Sequence, residues 1–251
     1  MAVSILFCLS CGQVTARPAA EEVTSTVADS LYQAENYQGA AATYQKLLQT
    51  HGATSELYYN LGNCYYKLDD IPHSILCYER AAVLDPSDAD TRANLLLARS
   101  KTIDKVVPPS EMFFVTWWRS FSNLATINEW ALLAVCLFVL MLVGCLVYFF
   151  MADLKWKKTG FYGSVASLLL CILANGCVIT QYRVLKYRNA AVVLAPAVSV
   201  KSSPSESGTD LFVIHGGSRV EILDQTMKSW REVKLEEGKQ GWVPVQALEV
   251  I

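Results

Sequence analysis

The chain has 251 residues, of which 53% are hydrophobic and 18% charged, and its formal net charge is −2. That length leaves room for two small soluble modules beside a strongly apolar part. A near-neutral balance with no basic stripe excludes nucleic acid as a partner, because nothing would neutralise the phosphates.

Residues 1–20 open with the apolar run Ala2–Leu9, followed by small and polar residues. This reads as a secretory signal, with Val14-Thr15-Ala16 as its small-x-small cleavage site. The alternatives are an uncleaved anchor, since no Lys or Arg precedes the run, and a lipoprotein cysteine at Cys11.

Residues 21–101 carry an internal repeat. Ser55–Asp88 resembles the 34-residue tetratricopeptide pattern, with Tyr58, Leu61-Gly62, Tyr65, Ser74, Tyr78, Ala81 and Pro86 at the required spacing. Leu61, Tyr65 and Tyr78 form the expected seam between two helices. Gly62 and Ser74 let the helices approach, and Pro86 ends the second. A shift of 34 residues sets Ala28 on Gly62, Ala40 on Ser74 and Tyr44 on Tyr78. Repeats are thus expected over 21–54 and 55–88, with a capping helix over 89–101. The first helices face the concave side, placing Asp29, Tyr32, Tyr59, Asn63, Tyr66, Lys67 and Leu97 there. Of these, Tyr59, Asn63, Tyr66 and Lys67 are the candidate protein-binding residues. An Asn-Tyr-Lys cluster suits the backbone or carboxylate of an extended peptide, and a merely solvated polar face is the competing reading.

Residues 102–129 are a linker. Pro108-Pro109 stops the helix, and Met112-Phe113-Phe114, Trp117-Trp118 and Phe121 form an aromatic segment suited to the headgroup layer, with Arg119 reaching phosphate. Two uncharged runs follow, Trp130–Met151 and Gly160–Tyr182. Each is about 33 Å long as a helix, enough to cross a hydrocarbon core of roughly 30 Å. They predict transmembrane helices over 130–151 and 160–182, joined by a cytoplasmic loop over 152–159. Gly163, Ser167, Cys171 and Ala174 form a small-residue stripe for close helix packing. Asn175 requires a hydrogen-bond partner across the hairpin or in another membrane protein.

Residues 190–251 change to period two. Short strands are expected at Ala191–Leu194, Val198–Val200, Leu211–Ile214, Val220–Leu223, Trp230–Leu235 and Gly241–Pro244, separated by turns at Pro204, Gly208 and Gly216-Gly217. This reads as a small, strongly bent all-β barrel. Gly217 before a strand, Trp230 alternating with Val233 and Leu235, and Gly241-Trp242-Val243-Pro244 resemble a bacterial SH3 domain. The resemblance implies a ligand surface of exposed aromatics, for which Trp230 and Trp242 are the candidates; both also fit a core position.

Chemistry-bearing residues are sparse. Cys64 and Cys77 sit on opposite helices of one repeat and would bridge only with Cα atoms within about 7 Å. His51, His73 and His215 are isolated, and no metal-ligand spacing or catalytic set is present. No cofactor, metal or enzymatic activity is expected.

The full order of signal, tetratricopeptide units, two-span hairpin and C-terminal SH3-like domain resembles the BatE family of aerotolerance operon proteins. NLGNCYYKL, ANLLLARSKTIDKV and the GWVP ending carry that resemblance. It implies a multi-domain inner-membrane scaffold. Its implied partners are membrane proteins with von Willebrand factor A domains and a MoxR-type ATPase; a wall-binding module acting on peptidoglycan is the alternative. Lys155, Lys157 and Lys158 fall between the spans, whereas Arg119, Arg183, Lys186 and Arg188 flank them. A signal exports the first module, so both soluble modules are expected in the periplasm.

Overall fold

A computed structural model describes residues 19–104, 112–186, 189–235 and 237–251. Residues 1–18 of the signal expected over 1–20 and the Pro108-Pro109 stop lie outside the described residues, and residues 19–20 open the first helix.

Five helices form the first module: α1 (Ala19–Gln33), α2 (Tyr37–His51), α3 (Ser55–Lys67), α4 (Ile71–Leu84) and α5 (Ala89–Ser100). Their starts are written in short polar residues. Asn36 and Asp70 cap α2 and α4 by accepting the Gly39 and His73 N–H groups, 34 residues apart. Thr54 and Asp88 cap α3 and α5 at the same spacing. Glu35 and Asp69, both with φ of 60°, turn the chain just before the α2 and α4 caps. The repeat is therefore exact at the level of turns as well as of core residues.

Ala28, Ala40, Leu47, Leu57 and Cys64 are completely buried between α1, α2 and α3, joined by Tyr44 and Leu61. Between α3 and α4, the close approach at Gly62 is enforced by Tyr78: a Cβ there would lie 2.8 Å from its ring. Ser74 is buried and donates to the Gly62 carbonyl at 3.0 Å.

Past residue 112, α6 (Phe113–Ser122) leads into α7 (Ile127–Phe150) and α8 (Leu154–Lys186). Both α7 and α8 are long and apolar enough to cross a membrane. The turn between them is shorter than the sequence pattern suggests, since Lys155, Lys157 and Lys158 ride on the first turns of α8. Small residues bring the two helices together on the expected stripe at Ser167, Cys171 and Ala174, but not at Gly163. Gly163 has open space beside it. The packed positions are Gly160, Ser164, Ser167, Ala174 and Cys177. Gly160 faces Gly144 so closely that a Cβ would meet the Gly144 carbonyl at 2.7 Å. Gly160 and Ser164, rather than Gly163, continue the stripe of Ser167, Cys171 and Ala174, opposite the glycine that α7 offers at Gly144.

Helix α6 packs on the far end of α8. The Trp118 indole donates to Thr180 Oγ1 at 3.2 Å, and Gln181 Nε2 donates to the Ser122 and Ala125 carbonyls at 2.6 and 2.9 Å. Trp130 Nε1 also donates to the Ser122 carbonyl, at 2.8 Å. The end of α6 is thus satisfied by α7 and α8, while Phe113, Phe114 and Trp117 stay exposed.

The tail forms one antiparallel sheet of β1 (Ala190–Val193), β2 (Ala197–Lys201), β3 (Asp210–His215), β4 (Arg219–Asp224), β5 (Trp230–Leu235), β6 (Gln240–Pro244) and β7 (Leu248–Val250), in the order β3-β2-β6-β5-β4-β1-β7. Strand β7, three residues long, has no period-two signal of its own. The sheet bends enough that Val200 and Ile214 at one end share a core with Ala191, Val193 and Val220 at the other. Strands β3 and β7 nevertheless remain edges and do not pair, so the sheet is open rather than a closed barrel. Each edge is guarded. In β3 the pairing skips Leu211, a bulge, and the His215 N–H is taken by Asp104. At β7, Arg80 binds the Val250 carbonyl at 2.6 Å.

The sheet docks on the helical module. Val192 and Ile251 join Ile75, Leu76, Tyr78, Leu95 and Ala98 in one buried cluster. Strand β1 and the last residue therefore cover the apolar flank of α4 and α5, which a further repeat would otherwise need to bury. Polar contacts frame this seam. Arg80 pairs with Glu249 at 2.9 Å, and Arg99 pairs with Glu79.

Candidate functional site

On the first-helix side, α1 and α3 with Tyr44 of α2 enclose a cleft of about 210 Å³ lined by Asp29, Tyr32, Gln33, Tyr44, Asn60 and Asn63. Its floor repeats a single hydrogen bond. The Tyr44 hydroxyl donates to Asp29, and 34 residues later the Tyr78 hydroxyl donates to Asn63 Oδ1 at 2.6 Å. Burial, reinforced by the bond to Asp29, pushes the Tyr44 phenol well above its ordinary value. Burial also pushes Tyr78 up. Both phenols remain protonated donors across the physiological range.

Asn63 also accepts from Asn94 Nδ2 at 3.1 Å, and that same nitrogen reaches the Tyr59 hydroxyl at 3.1 Å. Two donors on Asn63 Oδ1 leave its amide nitrogen available as a donor. The cleft therefore offers a carboxylate at Asp29 and an amide donor at Asn63, set on two rigid helices. That pairing can bind the alternating N–H and C=O groups of an extended peptide.

The structure separates the sequence candidates. Asn63 lines the cleft, and Tyr59 reaches it through Asn94. Tyr66 instead joins the α4–α5 cluster, with Lys101 Nζ 4.2 Å from its ring centroid. Lys67 is exposed on the last turn of α3. Asn60 and Gln33 are lining residues that the repeat pattern does not single out. Asn60 had one signal: it stands opposite Asn94 in the 34-residue shift.

The repeat-defining residues divide by burial. Leu61, Gly62, Ser74, Tyr78 and Ala81 are buried. Tyr58 and Tyr65 are half-buried, Tyr58 beneath Arg80 at 5.7 Å and Tyr65 stacked on His73 at 5.2 Å. Pro86 follows the α4 C-cap Asp85, and its carbonyl accepts from Arg92. Cys64 and Cys77 are buried free thiols.

In the sheet, Trp230 and Trp242 are half-buried and belong to no core cluster. Val243 of β6 and Val233 of β5 point inward, so the alternation turns Trp242 and Trp230 to the outer face. Trp242 stands opposite Glu232 and Lys201, and Trp230 opposite Pro244, which makes the two indoles diagonal neighbours.

Residues 55–88 match the tetratricopeptide repeat family. This stretch is a tetratricopeptide repeat. The match spans α3, α4 and the turn to Asp88. A tetratricopeptide repeat is a non-catalytic helical unit, and its presence points to a protein–protein interaction role. No curated protein matches the chain.

Proposed function

We propose that the chain is a membrane-anchored, non-enzymatic scaffold that holds partner proteins through its repeat cleft. The observation that carries this reading is the cleft itself, with Asp29 and Asn63 presented on the inner helices of a repeat. The hairpin of α7 and α8 serves as the anchor, in a bacterial inner membrane. Helix α6, with Phe113, Phe114 and Trp117 exposed beside the end of α8, lies in the headgroup layer. On this reading the C-terminal sheet is an SH3-like domain, its curvature around one core supporting the likeness. The domain order resembles the BatE family, and the proposed partners are membrane proteins with von Willebrand factor A domains and a MoxR-type ATPase, in a complex linked to aerotolerance or envelope stress.

The test is copurification from intact membranes after crosslinking. Asn60→Ala with Asn63→Ala is expected to reduce recovery of von Willebrand factor A partners while the protein stays folded. Unchanged recovery of every partner would mean that the cleft is only a solvated surface.

A second reading has one observation in its favour. Trp230 and Trp242 stand together on the outer face of the sheet, an arrangement suited to stacking on a glycan or peptide of the cell wall. Peptidoglycan fragments in the crosslinked material, lost with Trp242→Ala, would support it.

A further inference from the structure

Inside the apolar run of α8, most polar side chains bond within the protein. Ser164 donates to the Met141 and Gly160 carbonyls. Thr180 accepts from Trp118 and donates to the Gly176 carbonyl. Gln181 is buried against Ser122 and Ala125. Asn175 differs. Its amide nitrogen donates back to the Cys171 carbonyl of its own helix at 2.8 Å, yet the side chain is exposed on the hairpin's outer surface. The same nitrogen has only a second, long contact to Cys171 Sγ at 3.5 Å, and the carbonyl oxygen finds no partner across the hairpin. Asn175 precedes Gln181 by six residues and follows Lys158 by seventeen, placing it about 9 Å and about 26 Å along the helix from these two markers. That depth is hydrocarbon, where an unsatisfied carboxamide is costly. Its side chain is too short to reach the headgroups.

We propose that Asn175 lies at the centre of a seam between two copies of this chain, each carboxamide hydrogen-bonding the other across a two-fold axis. This rests on the reading of α7 and α8 as membrane spans. A second copy fits for a geometric reason. Copies inserted with one topology are related by an axis along the membrane normal, so Asn175 of each meets the other at equal depth. A carboxamide carries both a donor and an acceptor, so the pair is self-complementary. Any other helix would need its own polar group at that same depth. The flanks suit close contact, since Leu168, Ile172 and Ile179 share the Asn175 stripe and are all exposed. The hydrogen bond to the Cys171 carbonyl is kept in the paired state, and the second amide hydrogen exchanges its long contact to Cys171 Sγ for the carbonyl oxygen of the other copy.

The test uses the full-length chain in vesicles of phosphatidylcholine and phosphatidylglycerol, with donor- and acceptor-labelled copies mixed and then diluted with lipid. Energy transfer is expected for the unmodified chain. Asn175→Leu, a substitution at an exposed position that leaves the α7–α8 contact untouched, is expected to weaken association on the order of tenfold. Asn175→Gln is expected to restore most of it. Transfer that is absent in the unmodified chain, or unchanged in Asn175→Leu, overturns the seam. Alkaline carbonate extraction separates the two levels of the proposal: a chain that stays in the membrane without transfer loses only the seam, whereas a chain released into solution loses the spans as well.

Discussion

At Gly62 a single missing methyl group sets the spacing of two helices. A Cβ there would stand 2.8 Å from the ring of Tyr78, itself buried and hydrogen-bonded to Asn63. Gly62→Ala must push that ring away, at a cost of about 1–3 kcal/mol for overpacking, and the expected result is a lower melting temperature by circular dichroism. The displaced ring would also loosen the floor of the cleft, so partner recovery should fall with it. The cysteines give a second residue-level expectation. Burial pushes the Cys64 and Cys77 thiols up to about 12, which leaves roughly one molecule in ten thousand as thiolate at pH 8. Both should therefore resist a maleimide in the folded protein and react once it is unfolded, as peptide mapping would read. A bridged pair isolated from native membranes would contradict the free buried thiols.

Between elements, Asp104 joins the end of the helical module to the β3–β4 turn. Its carboxylate accepts the His215 N–H at 2.7 Å, the His215 ring at 2.8 Å and the Ser218 hydroxyl at 2.7 Å. Burial alone would raise its pKa, but these donors outweigh burial and hold the carboxyl below its ordinary value. A depressed folded pKa stabilises the docked state at pH above the unfolded value of about 3.9, and this contribution disappears as pH falls through the lower folded value. Melting temperature should thus drop on acidification below about pH 4 more steeply in the parent than in Asp104→Asn. Equal slopes would show that the latch contributes nothing. Gly217 makes the same seam from the other side. Its φ of +90° suits glycine, and a Cβ would lie 2.7 Å from Thr102 and 3.0 Å from Ile75. Gly217→Ala is expected to destabilise by about 1–3 kcal/mol and to open the contact between sheet and helices, seen as new protease cleavage in the β3–β4 turn.

On the scale of the whole molecule, the docked sheet and helices must lie on one side of whatever the hairpin crosses, because α7 and α8 return the chain to its starting side. If the first module is exported, as the sequence pattern predicts, both modules would lie in the periplasm and Lys155, Lys157 and Lys158 at the start of α8 would face the cytoplasm. Protease added to spheroplasts is expected to digest both the repeats and the tail beyond Arg188. Survival of both until the membrane is dissolved would mean the opposite orientation. Digestion of one alone would contradict the docking of Val192 and Ile251 into the cluster of α4 and α5.

Much of this architecture is local and hence legible in the residues themselves. The 34-residue period is written in the caps Asn36, Thr54, Asp70 and Asp88 as well as in Gly62 and Tyr78, because a helical repeat buries its seam mainly against the next helix. Two uncharged runs announce α7 and α8, since length and apolarity alone decide whether a helix can cross hydrocarbon. Period two marks most strands of the tail for the same local reason. What required tertiary structure was every choice among equivalent faces. Gly163 and Gly160 are both small, and only the position of Gly144 selects Gly160 for the helix contact. Tyr66 and Asn63 both belong to the side of α3 expected to face a partner, yet Tyr66 turns to the α4–α5 cluster and Asn63 to the cleft. Trp230 and Trp242 read equally well as core or surface until Val233 and Val243 take the inward positions. The docking of β1 and Ile251 on α4 depends on contacts between segments more than a hundred residues apart, and the failure of β3 and β7 to meet depends on the bend of the whole sheet. No local period carries such information, because it arises only when two separately formed surfaces are brought together.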